Sequence, residues 1–135
     1  MFEYHGWVTV RDSLDGDCEA ADCLTHATHN AVVDVLGRVR NDLQFADIRV
    51  VNGSCHVLLS GLRNHRQDAV IDVYREVATA APWSYGVLYI QDDESGDDAN
   101  RWVTWVMKRG AITPHPDRFL SPHIGEVEDA DDVSR

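Results

Sequence analysis

Apolar residues recur at every second position, then at every third or fourth, and the chain runs through this switch twice. No other feature constrains the fold as tightly. A period of two puts one set of side chains on one face of a strand, and a period of 3.6 draws a stripe along a helix. Residues 2–11 alternate, with Tyr4, Gly6, Val8 and Val10 on one side and Glu3, His5, Trp7 and Thr9 on the other. From about 17 to 40 the spacing of Leu24, Ala27, Ala31, Val35 and Val39 predicts a helix, with Val32 and Leu36 widening its stripe. Asp15 and Asp17 suit its positive N-terminal end, and Arg38 and Arg40 its C-terminal end. Two short strands follow, at 46–52 and 55–62, joined by Asn52-Gly53, a pair that tolerates the positive φ of a tight hairpin. A second helix is expected over 65–80 on Val70, Ile71, Tyr74, Val77 and Ala78, closed by Pro82. Residues 84–91 and 101–108 read as strands flanking an acidic loop, and from Gly110 onward the Pro-containing chain reads as irregular.

The order β-α-β-β-α-β-β predicts an α+β fold. The economical arrangement is a two-layer sandwich, a mainly antiparallel sheet of about five strands with both helices on one face. The other face of the sheet is then open. It would carry Glu3, His5, Trp7 and Thr9 beside His56, Leu58 and Ser60, provided that Tyr4, Val8 and Val10 turn toward the helices. The 135 residues suit one domain, taken as 1–125. Its last part, 113–125, is expected to pack through Phe119, Leu120 and Ile124, leaving 126–135 as an acidic, mobile tail.

Net charge is −11, and 15 of the 23 acidic residues fall in three clusters, at 12–22, 92–98 and 126–132. Solvated loops and helix-start chemistry explain much of this. A footprint for a basic partner is the sharper reading. Nucleic acid is disfavoured as a partner, because phosphates call for Lys and Arg and Lys108 is the one lysine. No stretch approaches the roughly 18 apolar residues of a membrane span. The chain opens on a strand without a charged leader, so a cytoplasmic protein with reduced Cys18, Cys23 and Cys55 is expected.

Little in the sequence points to chemistry. His26 and His29 have i, i+3 spacing on the first helix, but no third ligand is evident, so no metal is expected. His115 and His123 read as loop residues. Cys55 precedes His56, yet neighbours on a strand point to opposite faces. The loop Asp92–Asp98 lacks the terminal Glu and flanking helices of a calcium-binding hand. No phosphate-binding loop, nucleophile elbow or dinucleotide fingerprint is present. No cofactor and no enzymatic activity are expected. The four tryptophans stand out: Trp102 and Trp105, three apart in a strand, cannot both face the core.

Tyr4-His5-Gly6-Trp7, the strand ending Lys108-Arg109-Gly110, and Asp117-Arg118-Phe119-Leu120-Ser121-Pro122 followed by Glu128-Asp129 together resemble the immunity protein 7 family. These are small bacterial proteins encoded beside polymorphic toxins. The resemblance implies an α+β protein that binds and neutralises a cognate protein toxin, often a nuclease, in the producing cell. It carries over no catalytic residues. Charge placement makes Asp92, Asp93, Glu94, Asp97 and Asp98, with Trp102 or Trp105 beside them, the expected toxin contact, because the loop contains no basic residue of its own. The face bearing Glu3, His5 and Trp7 is the next candidate. The competing class is a small-ligand regulatory domain of split β-α-β type, which shares this element order.

Overall fold

The computed structural model describes residues 1–12, 26–39 and 44–120. In chain order these form β1 (Phe2–Val10), α1 (His26–Val39), β2 (Phe45–Val51), β3 (Ser54–Arg63), α2 (Asp68–Ala80), β4 (Tyr85–Asp92), β5 (Trp102–Lys108) and β6 (Ala111–Pro116). A single 3-10 turn, Gly96–Asp98, lies between β4 and β5. The six strands make one sheet in the order β2-β3-β1-β4-β5-β6, and every neighbouring pair is antiparallel. Each of the two β-α-β crossovers leaves a gap of one strand, filled by β3 in one case and β1 in the other. That is the split arrangement the element order predicts.

Both helices contribute to one core. Val32, Val35 and Leu36 of α1, with Val70, Ile71, Val73, Tyr74 and Val77 of α2, pack on Phe2, Tyr4, Val8, Val57, Leu88 and Ile90 of the sheet. The strand residues in this set are the alternate ones, so the inward set of β1 is Tyr4, Val8 and Val10, as the alternation requires. Cys55 is buried in the same core, and burial pushes its thiol above the ordinary range, which makes it an unreactive packing residue. Tyr74 is buried too. Its hydroxyl donates to the carbonyl of Trp105 at 2.8 Å, tying α2 to β5. Burial raises this phenol well above its usual value. The folded value therefore lies above the unfolded one, and the contribution is complete below about pH 10 and lost as pH rises beyond it. Urea unfolding should show Tyr74→Phe less stable than wild type by about 1 kcal/mol at pH 7, with the gap narrowing above about pH 10. A gap that stays constant up to pH 11 would remove the phenol from the account.

The main departure from expectation is β6. Residues 111–116 are a sixth strand rather than irregular chain. Arg109 and Gly110 have φ of 49° and 75°, so they repeat the tight turn that Asn52 and Gly53 make at 54° and 80°. Pro114 and Pro116 are tolerated because β6 is the sheet edge. The N–H of Asp117 donates to the carbonyl of Trp102 at 2.9 Å, so the N–H positions of 114 and 116 point away from β5, where no strand follows. The first helix is described only from His26, and the expected start at 17–25 lies outside the described residues. So do Cys18, Cys23, His123, Ile124 and the expected tail 126–135.

Candidate functional site

The strand registers build the helix-free face row by row. Glu3 of β1 stands beside Gln91 of β4, which stands beside Trp102 of β5. In the next row Phe45, Ser60, His5, Tyr89, Thr104 and His115 run across all six strands. Leu58, Trp7, Val87 and Val106 form the row after that. This brings Glu3, His5 and Trp7 together with His56, Leu58 and Ser60, the neighbours their alternation implied. Sequence reasoning missed that Phe45, Tyr85 and Tyr89 join them. Strand order supplies these neighbours, and no local pattern announces them.

Each residue of Tyr4-His5-Gly6-Trp7 has a distinct task. Tyr4 is buried on the helix side, and its hydroxyl accepts the N–H of Gln44 at 3.3 Å. Gly6 lets β4 approach closely, since a Cβ there would come within 2.8 Å of Leu88 Cδ1 and 3.0 Å of the Val87 carbonyl. His5 and Trp7 point to the open face. Trp7 is 40% exposed and meets Tyr85 edge-on at 6.1 Å between ring centroids. Phe45, Leu58, Leu62 and Tyr89 are exposed on the same face. Contiguous apolar surface of this kind on a strongly charged chain marks an interaction site more often than an accident of composition.

His5 is held from both sides. Its Nδ1 lies 2.9 Å from Ser60 Oγ and its Nε2 2.6 Å from Glu3 Oε2. The order hydroxyl–imidazole–carboxylate is one that nucleophilic enzymes use, and the sequence did not reveal it because 55 residues separate His5 from Ser60. Here it sits mid-strand, where neighbouring backbone N–H groups serve the β1–β3 ladder. A tetrahedral oxyanion needs such donors free and converging. The arrangement orients the imidazole on the surface.

Next to this triad a pocket of about 340 Å³ is lined by Glu3, His5, Tyr89, Trp102, Asp117 and Phe119, with Leu120 at its side. Trp102 is only 7% exposed and lies 6.1 Å from the His5 ring. Asp117 Oδ2 accepts the N–H groups of Phe119 at 3.1 Å and Leu120 at 2.5 Å, which folds that segment into a wall.

The acidic loop behaves differently from expectation. Four of its five carboxylates lie beside a basic group from outside the loop. Asp92 is 6% exposed and lies 3.5 Å from Arg66. Asp93 pairs with the amino group of Met1 at 2.5 Å, Glu94 with His65 at 2.7 Å, and Asp98 with Arg101 at 3.7 Å. The start of β1 and the entry to α2 pack beside the loop, so its charge is offset in part locally despite the lack of a basic residue within it. The two tryptophans separate, as a spacing of three in a strand demands. Trp105 turns to the helix side, where the Arg75 guanidinium lies 5.7 Å from its ring. It shares a cleft of about 260 Å³ with Asp92, Asp98 and Arg66, away from the open face. Replacing Asp92 by Asn should lower stability by about 1–2 kcal/mol, because a buried charged partner of Arg66 is lost. Asp97→Asn, on the exposed turn, should stay within about 0.5 kcal/mol. Equal effects in thermal melts would show that Asp92 is no more structural than its neighbours.

Among the described residues no three His, Cys, Asp or Glu side chains gather as a metal site, and His26 and His29 remain a pair on α1. No described helix is long and apolar enough to cross a membrane. A family model described as immunity protein 7 matches residues 1–129. No curated protein and no solved structure matches the chain.

Proposed function

The chain belongs to the immunity protein 7 family and is an immunity protein to a toxin; from that premise we propose that it captures a cognate protein toxin on the open face of the sheet. The target proposed is a nuclease, met in the cytoplasm of the producing cell, and its basic active-site surface is what the complex covers. A cleft that binds phosphates is cationic. A chain of net charge −11 is drawn to such a surface at long range, and the aromatic patch then holds it at short range. The observation that carries this reading is the contiguous exposed set Trp7, Tyr85, Tyr89, Phe45 and Leu58 around an oriented His5. Aromatic residues in such a setting are the usual anchors of protein interfaces. The chain itself performs no chemistry in this reading, and the Ser60–His5–Glu3 order serves to position an interface residue.

The test uses the toxin encoded beside this gene. Purified toxin should cleave nucleic acid, lose that activity on addition of one equivalent of this protein, and elute with it as a complex. A toxin that stays active when saturated with the protein overturns the neutralisation. A toxin that is inhibited but attacks a substrate other than nucleic acid overturns only the nuclease assignment.

A further inference from the structure

We propose that the pocket between β1, β4, β5 and the segment after β6 receives an arginine side chain presented by the toxin. The proposal deepens the toxin-binding reading and rests on it. Two carboxylates, Glu3 and Asp117, stand on walls otherwise formed by Leu120 and the rings of His5, Tyr89, Trp102 and Phe119. At about 340 Å³ the pocket is at the small end of ligand sites, a size for one side chain rather than a segment. Apolar walls with acidic groups match a side chain with an aliphatic stem and a charged head. Arginine fits better than lysine, because its planar guanidinium stacks on aromatic rings while forking toward carboxylates. A neutral apolar side chain would fill the walls but make no charge-assisted hydrogen bond to either carboxylate, each of which has one oxygen engaged already, Glu3 by His5 and Asp117 by the N–H groups of Phe119 and Leu120.

Two further observations agree. The Glu3 side chain is 29% exposed, so its carboxylate is reachable from solvent even while Oε2 engages His5. The Arg118 guanidinium lies 5.8 Å from the Phe119 ring centroid, so stacking of this group on that ring already occurs within the chain.

The experiment has two arms. In the first, the protein alone is titrated with N-acetylarginine methylamide, and the indole signal of Trp102 is followed by NMR. A saturable shift in the millimolar range is expected, weaker with the lysine analogue and absent with the norleucine analogue. The shift should vanish in Glu3→Gln with Asp117→Asn, a near-isosteric pair of changes that keeps oxygen acceptors for His5, Phe119 and Leu120. Equal shifts from arginine and norleucine, or none from arginine, overturn the proposal. In the second arm the same double variant, with an unchanged melting temperature, should bind toxin about tenfold more weakly or worse. An unchanged affinity overturns the assignment of the pocket to the toxin. If wild-type protein fails to bind the toxin at all, the functional reading fails instead, and the titration of the protein alone still reports on the pocket.

Discussion

Gly86→Ala should destabilise the protein by about 3 kcal/mol, a fall of roughly 12 °C in melting temperature for a chain of this size. Gly86 lies in β4 opposite Val8 of β1, at the centre of the sheet. A Cβ there would overlap the carbonyl oxygen of Trp7 and sit 2.9 Å from Val8 Cα and 3.1 Å from the Trp7 carbonyl carbon. These are backbone atoms of the neighbouring strand and cannot swing aside as a side chain does. The pair β1–β4 must separate to admit one methyl group, weakening the ladder that carries the open face. Gly37→Ala is the matched comparison. It lies within α1 with nothing inside 4 Å of the added carbon. Removing a helix glycine should raise stability by about 0.5–1 kcal/mol. The two substitutions are chemically identical, and opposite signs in the thermal melts are the expected result. A melting temperature for Gly86→Ala within 2 °C or so of wild type would mean that β1 and β4 do not approach as closely as the structure has them.

The second large effect concerns the partner. Trp7→Ala should weaken toxin binding by about 2 kcal/mol or more, roughly thirtyfold in Kd, and mainly by faster dissociation. Trp7 is the largest exposed side chain on the open face and stands between Leu58 and Val87, with Tyr85 edge-on. A ring so placed loses water from a wide area when covered, and its neighbours hold it at low entropic cost. Since Trp7 is only partly buried, unfolding should change far less than binding does. The acidic loop supplies the contrasting outcome. Asp97→Asn with Asp98→Asn should leave dissociation unchanged and at most slow association at low salt. If instead Trp7→Ala binds as wild type while the loop variant loses most of the affinity, the toxin sits at the β4–β5 end of the sheet and the open face has another role.

Much of this architecture is legible in local sequence. The period of Ala27 to Val39 and of Val70 to Ala78 belongs to helices, and the alternation of residues 2–11 assigns Glu3, His5 and Trp7 to one face. Asn52-Gly53 announces its hairpin because only residues tolerant of positive φ can turn so tightly. Arg109-Gly110 turns the same way, but its first residue is not one of the usual pair, and the prolines that follow argue against a strand unless that strand is known to be an edge. Edge status is a property of the whole sheet, so β6 could not be read from its own six residues.

The same limit divides the site. That His5 faces away from the core is a consequence of alternation alone. That Ser60 and Glu3 grip its two nitrogens follows from the pairing of β1 with β3, 55 residues apart. The charges of residues 92–98 are plain in the sequence, yet their effect depends on Met1, His65 and Arg66, which the fold brings to the loop. Periodicity and turn chemistry act between residues a few positions apart, so the sequence by itself determined the two helices, the first five strands and their faces, but not β6. Counterions, pockets and strand neighbours are contacts between distant segments, fixed only once burial of one continuous core selects a single strand order and register.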